Sequence, residues 1–273
     1  MPLSYPQTAA SFTWLHAGFG DALQSTALRG FRHLFTTRAL ALRGEQADAD
    51  WTALEQALLV KPRRLFAPKQ VHGADVLVVR GSDLAPPSLN DPRRPHADIV
   101  LTNDPESAIA VQVADCAPLL LADPRTGAVA AAHAGWRGTA ANVAGRAVDA
   151  MATHYGSQPS DLLVAIGPSI GRCCYQVGPD VREAFVAAGH DPDAVARWFA
   201  AEPKHGRLKL DLPRANRDQL IAAGVNAANV AACGLCTACH PRLFFSYRRD
   251  GAATGRLAGA IRPLSSADGN ARA

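Results

Sequence analysis

Several things are scarce in this chain of 273 residues. Lysine is nearly absent: Lys61, Lys69, Lys204 and Lys209 are the only four among 28 basic residues, so 24 are arginines. The arginines are scattered, with short pairs at Arg63-Arg64, Arg93-Arg94 and Arg248-Arg249, and no basic stripe carries interleaved aromatics. That pattern argues against a nucleic-acid partner. No apolar run reaches the ~18 residues a membrane helix needs. Met1 to Gly20 lacks a basic segment followed by an apolar one, so no secretory leader is visible and a cytoplasmic location is expected. Six cysteines in this length are too sparse for a disulfide scaffold and are expected to be thiols, metal ligands or nucleophiles.

What is present is a globular composition. Hydrophobic residues make up 48%, charged residues 19%, and the net charge is +4, which suits a small anionic substrate. The apolar runs are short and bounded by turn residues. They predict strands at Phe31–Thr37, Leu65–Val71, Val76–Arg80, Asp98–Thr102, Ala108–Ala114, Leu119–Ala122 and Ala128–His133. Later strands are expected at Leu162–Ile166, Cys174–Val177, Leu208–Leu210, Val230–Ala232, Phe244–Tyr247 and Arg256–Ile261. The clearest helix is Thr139–His154, where Ala140, Val143, Ala144, Ala147, Val148 and Met151 share one face. Weaker helical patterns cover Asp50–Leu59, Pro179–Ala188, Asp193–Ala200 and Pro213–Ala223. Strands with helices between and outside them predict an α+β fold of mixed layers. The proline-rich stretch Asp83–Pro95 reads as a surface loop rather than a boundary, so residues 1–273 are expected to form one domain with loose ends at 1–11 and 265–273.

The chemically informative stretch is AIAVQVADCAPLLLADPRTGAVAAAHAGWRG, residues 108–138. Asp115-Cys116 follows one buried-looking strand, and His133 with Trp136-Arg137-Gly138 follows another. If those strands share a sheet and a direction, Cys116 and His133 meet at one edge. Upstream, His72 ends a further strand, and Gly73 is expected to let the backbone turn there. One cysteine and two histidines with an open fourth position is how catalytic zinc is commonly held. The same residues also fit a metal-free pair, Cys116 as nucleophile and His133 as its base. A solvated or packed role is the plainer reading of any one of them.

The segments QVHG (70–73), ADC-P (114–118), HAGWRG (133–138), IGPSIGRCCYQVG (166–178), LDLPRANRDQL (210–220), CT (236–237) and FFSYRR (244–249) closely resemble one family. It is the YfiH/YlmD-like family, long described as laccase-domain or multicopper polyphenol oxidoreductase proteins. Later members were described as purine nucleoside phosphorylases with adenosine deaminase activity. The resemblance runs from about Phe31 to Ile261. It implies a layered α/β/β/α fold and a zinc site of His72, Cys116 and His133. After FTTR (35–38) the chain departs from the family pattern, reading ALALRGEQADADWTALEQALL in place of the usual Gly-Gly-x-Ser, Leu-Asn-Leu and His-Val-Gly-Asp segments.

A four-copper laccase centre is implausible, because no two of the nine histidines are separated by a single residue. One copper in place of zinc remains chemically reasonable, since divalent copper outbinds zinc at most nitrogen–sulfur sites. For a nucleoside phosphorylase, Arg137 and Arg248 are the phosphate-binding candidates, with Arg38 and Arg249 behind them. Tyr175, Trp136, Phe245 and Tyr247 could stack on a purine, although core packing is the plainer role for each. Asp115 is the candidate acid–base group or the partner of a ligand histidine. The leading expectation is phosphorolysis of adenosine, inosine and methylthioadenosine with deamination as a side activity. The alternative is an amidase that edits peptidoglycan precursors through Cys116 and His133. The partners expected are a nucleoside and phosphate, with no nucleic acid and no membrane.

Cys233-x-x-Cys236-x-x-Cys239-His240 has the spacing of a metal knuckle. Only Cys236 belongs to the family pattern, so Cys233 and Cys239 are read as free thiols, with a second zinc or a disulfide as alternatives. Cys173-Cys174 is assigned a packing role, because neighbours in a strand face opposite sides.

Overall fold

Residues 5–83, 88–202 and 207–263 are described by the structure, a computed structural model. The ends 1–4 and 264–273, residues 84–87 of the proline-rich loop, and Lys204 and His205 lie outside the described residues.

In chain order the elements are β1 (Phe12–Ala17), β2 (Gly20–Ser25), β3 (Arg32–Thr36), α1 (Ala47–Ala57), β4 (Leu65–Phe66), β5 (Val76–Val78), β6 (Ile99–Thr102), β7 (Ala108–Val113), β8 (Ala117–Ala122) and β9 (Val129–Ala134). They continue with α2 (Trp136–Ala140), α3 (Val143–Tyr155), β10 (Leu163–Ile166), β11 (Gln176–Val177), α4 (Pro179–Ala187), α5 (Pro192–Trp198), β12 (Phe199–Glu202) and β13 (Arg207–Leu210). The last are α6 (Leu212–Ala222), β14 (Val230–Ala232), α7 (Tyr247–Asp250) and β15 (Leu257–Arg262).

Two six-stranded sheets dominate. The first has the order β1-β2-β3-β15-β7-β4 and the second β14-β10-β8-β9-β6-β5; a small sheet β11-β13-β12 stands beside them. Both large sheets mix parallel and antiparallel neighbours. The two-residue period of a strand sorts side chains into layers. Along β7, Ile109, Val111 and Val113 face the second sheet, where they meet Leu120, Ala122, Val129 and Ala131. The alternate residues Ala108 and Ala110 turn outward and, with Ala258 and Ala260, pack under Leu54 and Leu58 at α1. On the other side, Leu119, Leu121, Ala130 and Ala132 pack against Val143, Ala147 and Met151 of α3 and Leu220 of α6. The result is helix, sheet, sheet, helix, as the resemblance implied. With both faces of β7, β8 and β9 covered, those strands read as continuous apolar runs rather than alternating ones.

Several expectations need correction. A hairpin, β1–β2, occupies residues that had no assignment. The described part of the expected loose end, 5–11, is tied down: Tyr5 stacks on Trp14 at 4.7 Å, and the Ala9 N–H donates to the Cys233 carbonyl. The single helix expected at Thr139–His154 is two, because Asn142 sits in the left-handed region (φ 58°) between α2 and α3. The strand expected over Leu65–Val71 stops at Phe66, and that over Cys174–Val177 begins only at Gln176. The helix expected to reach Ala200 ends at Trp198 and passes directly into β12. Phe244–Tyr247 is not a strand; Ser246 accepts the Arg249 N–H and starts the short α7. Among the described residues no helix is long and apolar enough to cross a membrane.

Candidate metal centre

The centre is organised by a residue the sequence reading did not single out. Asp98 is fully buried and immediately precedes β6. Its carboxylate accepts the backbone N–H groups of Val71 (3.2 Å), His72 (3.0 Å) and Gly73 (2.7 Å), and the Nδ1–H of His133 (2.8 Å). The Asp98 carbonyl also accepts the His133 N–H at 2.8 Å. A carboxylate holding Nδ1–H leaves the His133 Nε2 lone pair free for a metal, the usual support for a ligand histidine. The sequence signal was there in retrospect: an acid opening an otherwise apolar strand must find partners when buried.

His72 lies on the connection from β4 to β5. The turn there is made by His72 itself, which adopts φ 63°, and not by Gly73 as expected. A non-glycine residue in that region costs on the order of 1 kcal/mol. The three N–H bonds to Asp98 hold it there.

Cys116 sits between β7 and β8, so the chain crosses from the first sheet to the second at this residue. Cys116 and His133 therefore meet differently from the expectation of two parallel strand ends. β8 and β9 are an antiparallel pair in which Ala117 faces Ala134 and Pro118 faces His133, and that register brings the sulfur to the imidazole. The ligand atoms of His72, Cys116 and His133 all lie within 4.8 Å of one another. Space around them is tight: a Cβ at Gly135 would fall 2.9 Å from the Cys116 Sγ and 3.2 Å from the His72 ring.

The charges of the group support one another. Burial pushes the Cys116 thiol up, but His133 and His72 outweigh it and bring the thiol below its ordinary range. Burial would lower His133, yet the Cys116 sulfur and Asp98 raise it. Asp98 is lowered despite its burial, through His133 and the Gly73 and Val71 N–H groups. The metal-free arrangement favours a thiolate facing a protonated His133; a divalent metal would displace the His133 Nε2 proton and take the place of that charge beside the thiolate. Two nitrogens and a thiolate, all lining one cavity, fit zinc or copper with a side left open.

That cavity has a volume of about 610 Å³, within the range of small-molecule sites. Of the expected residues, His72, Cys116, His133, Asp115, Arg137, Arg248, Tyr175, Trp136 and Tyr247 line it. Lys69, Arg94, Gln112 and Arg256 also line it and were not foreseen. The Arg137 guanidinium lies over the Trp136 ring at 4.4 Å, and that of Arg248 over Tyr175 at 5.3 Å. Burial, followed by the Cys116 sulfur, raises Tyr175, so its hydroxyl stays protonated.

Three expected residues lie elsewhere. Arg38 is not among the lining residues; it covers the Phe245 ring at 4.4 Å and donates to the Pro241 carbonyl. That contact also occupies Phe245. Arg249 is spent on the carbonyls of Thr237, Ala238 and Phe244 and on Asp250. Asp115 lines the cavity, but its carboxylate is fully engaged with the Thr237 hydroxyl (2.6 Å), the Ser246 hydroxyl (3.0 Å) and the Arg248 N–H (2.6 Å). Its backbone is left-handed too, at φ 82°. It anchors two loops, while the place beside the ligand histidine belongs to Asp98.

Comparisons with known proteins bear on the family and the fold. Residues 43–263 match the family model described as multi-copper polyphenol oxidoreductase laccase. The chain is 36% identical over 249 residues to purine nucleoside phosphorylase YlmD of Geobacillus stearothermophilus, covering 91% of this chain and 87% of that one. An adenosine deaminase from an unknown prokaryotic organism is 37% identical over 197 residues, 70% of this chain and 72% of its own length. Among solved structures, Bacillus licheniformis hypothetical protein YfiH superposes with a TM-score of 0.82 at 28% identity, over 89% of this chain and 96% of that one. YlmD from Geobacillus stearothermophilus follows with a TM-score of 0.79 at 31% identity, with the same coverage of each chain. The matched family and the clustered His72, Cys116 and His133 together point to a metal-binding enzyme, and the chain belongs to the multi-copper polyphenol oxidoreductase laccase family, the YfiH/YlmD group.

Proposed function

We propose that this chain is a zinc-dependent purine nucleoside phosphorylase acting on adenosine, inosine and methylthioadenosine, with adenosine deamination as a side activity. The observation that carries this reading is one cavity in which His72, Cys116 and His133 share walls with five cations and three aromatic rings. Two relatives quoted above are named as a phosphorylase and a deaminase, which supports the same choice.

In phosphorolysis a phosphate oxygen bonds to C1′ of the ribose, the C1′–N9 bond breaks, and the electron pair leaves with the purine. The cations suit the incoming phosphate. Arg137 and Lys69 carry no carboxylate partner among the described residues, and guanidinium pairs with phosphate in a bidentate way. Trp136 and Tyr247 offer faces for the base. The Tyr175 hydroxyl, held protonated by burial, is a hydrogen-bond donor to the leaving purine. Asp98 fixes His133 and the His72 backbone, so the donors do not reorganise during the reaction. When bound by His72, Cys116 and His133, a divalent ion would supply Lewis acidity at the cavity wall. Copper at the same donors would supply a weak oxidase activity.

The test is direct. Zinc-loaded protein given inosine and phosphate is expected to release hypoxanthine and ribose 1-phosphate, resolved by chromatography. Absence of base release from both inosine and adenosine would sink the proposal.

The line Asp98–His133–Cys116 favours a second reading, a cysteine amidase with Cys116 as nucleophile, His133 as base and Asp98 as its orienting group. Amide hydrolysis of a peptidoglycan-precursor peptide by chelator-treated protein, abolished by alkylating Cys116, would put that reading first.

A further inference from the structure

Four other cysteines converge outside the cavity. Residues 172–174 form a turn leading toward β11, and residues 237–239 form a second turn after β14. The Cys239 Sγ lies 3.6 Å from that of Cys173 and 3.4 Å from that of Cys174. With Cys236, all four sulfurs lie within 4.8 Å of one another.

This is not the grouping that the sequence spacing suggested. Cys233 is 1% exposed and packs in the core between the sheets. His240 lies edge-on to the Phe244 ring instead of joining the sulfurs. Cys173 and Cys174 complete the set in their stead. They escape the alternation rule because the strand begins only at Gln176, and a turn can aim neighbouring side chains the same way.

We propose that Cys173, Cys174, Cys236 and Cys239 form a tetrathiolate site for a structural zinc ion, separate from His72, Cys116 and His133. A tetrahedral zinc with Zn–S bonds of about 2.3 Å sets sulfurs about 3.8 Å apart. The two Cys239 separations need to open by only a few tenths of an ångström, and no pair of the four sulfurs lies more than 4.8 Å apart. A disulfide would join two sulfurs at about 2 Å and leave the others unused. The surroundings suit a charged sulfur cluster. The Gly171 N–H donates to the Cys236 Sγ at 3.2 Å, and Arg249 grips the turn carbonyls of Thr237 and Ala238 between Cys236 and Cys239. A Cβ at Gly171 would fall 3.3 Å from the Cys173 Sγ, so glycine leaves the sulfurs their room.

Binding here is an ion exchange: four S–H protons go to solvent, four Zn–S bonds form, and no atom changes oxidation state. The site fastens the turn before Tyr175 to the turn after Thr237, the Asp115 partner. The ion therefore braces one wall of the cavity without entering it.

The test uses the full chain, purified with reductant, saturated with zinc and desalted. Wild type is expected to hold about two zinc ions, one per donor set. The Cys116→Ala/His133→Ala variant should keep about one, and so should Cys173→Ser/Cys239→Ser, with a lower melting temperature. Cobalt loading of the Cys116→Ala/His133→Ala variant should give the intense near-ultraviolet charge-transfer band of a tetrathiolate, a readout that leaves Cys173, Cys174, Cys236 and Cys239 unchanged. The proposal is overturned if that variant binds no metal, if its cobalt spectrum lacks the thiolate band, or if intact mass shows Cys239 in a disulfide with Cys173 or Cys174. Failure of the His72/Cys116/His133 reading looks different: wild type and the Cys116→Ala/His133→Ala variant would then hold the same single ion.

Discussion

The two sulfur-bearing regions of this molecule collect their donors in opposite ways. His72, Cys116 and His133 come from three separate places in the chain, and a single buried carboxylate, Asp98, fixes two of them. The set is incomplete by one position and lines a cavity. Cys173, Cys174, Cys236 and Cys239 come from two turns, offer a full complement of four sulfurs, and are partly exposed. A closed donor set has no room for substrate and serves to fasten, whereas an open one on rigid strands can do chemistry.

The sharpest way to break this contrast is to remove one sulfur from each region. Cys116→Ala is expected to lower base release from inosine by at least about 10³-fold, measured as initial rates, because an orienting metal and its thiolate go together. Cys239→Ser should change that rate less than about tenfold and act chiefly on the melting temperature.

Next in size is Asp98→Asn. The amide can no longer accept with full charge from His133 and the His72 loop, so metal affinity should fall about 10–100-fold, read by competition with a chelator. Arg137→Ala should raise KM for phosphate by about 10–100-fold, the range of one charge-assisted hydrogen bond, with a smaller effect on KM for the nucleoside. If the nucleoside term moves more than the phosphate term, Arg137 serves the base and not the anion. Gly135→Ala forces a methyl group against the Cys116 Sγ and should cost about 1–3 kcal/mol in denaturant unfolding, with weaker metal binding.

The smallest effect lies far from either region. His33 is buried; its Nδ1–H donates to the Phe31 carbonyl, and its Nε2 accepts the Ser25 N–H, so the ring is held neutral. Burial lowers its folded-state value below the ordinary 6.5. The stability this gives is whole above pH 6.5 and declines as pH falls through that value, since only the unfolded chain then takes up the proton. A His33→Gln variant should lose that part of the pH dependence in urea titrations.

The residues His72, Cys116 and His133, which the fold brings together, were legible from short motifs, because each motif is local. Asp98 was not, since its role depends on the pairing of β6 with β9, which joins residues over thirty positions apart in sequence (Ile99 faces Ala132). The break at Asn142 was hidden for the opposite reason. The apolar spacing runs unbroken through it, and only a backbone angle reveals two helices. Arg38 looked suitable by residue type, but a cation's partner is chosen by packing, and Phe245 lies closer at hand. Cys173 and Cys174 were misplaced because a two-residue error in a strand boundary reverses the meaning of adjacent side chains.

Two of the three donors sit where the chain steps from one sheet to the other: His72 between β4 and β5, Cys116 between β7 and β8. The third, His133, belongs to the second sheet. An ion held by all three would thus be a rivet at the seam of the sandwich, tying two crossover connections to a strand of the second sheet. Occupancy of the site should consequently be visible as a rise in melting temperature, growing with the logarithm of metal concentration, even for ions that support no turnover.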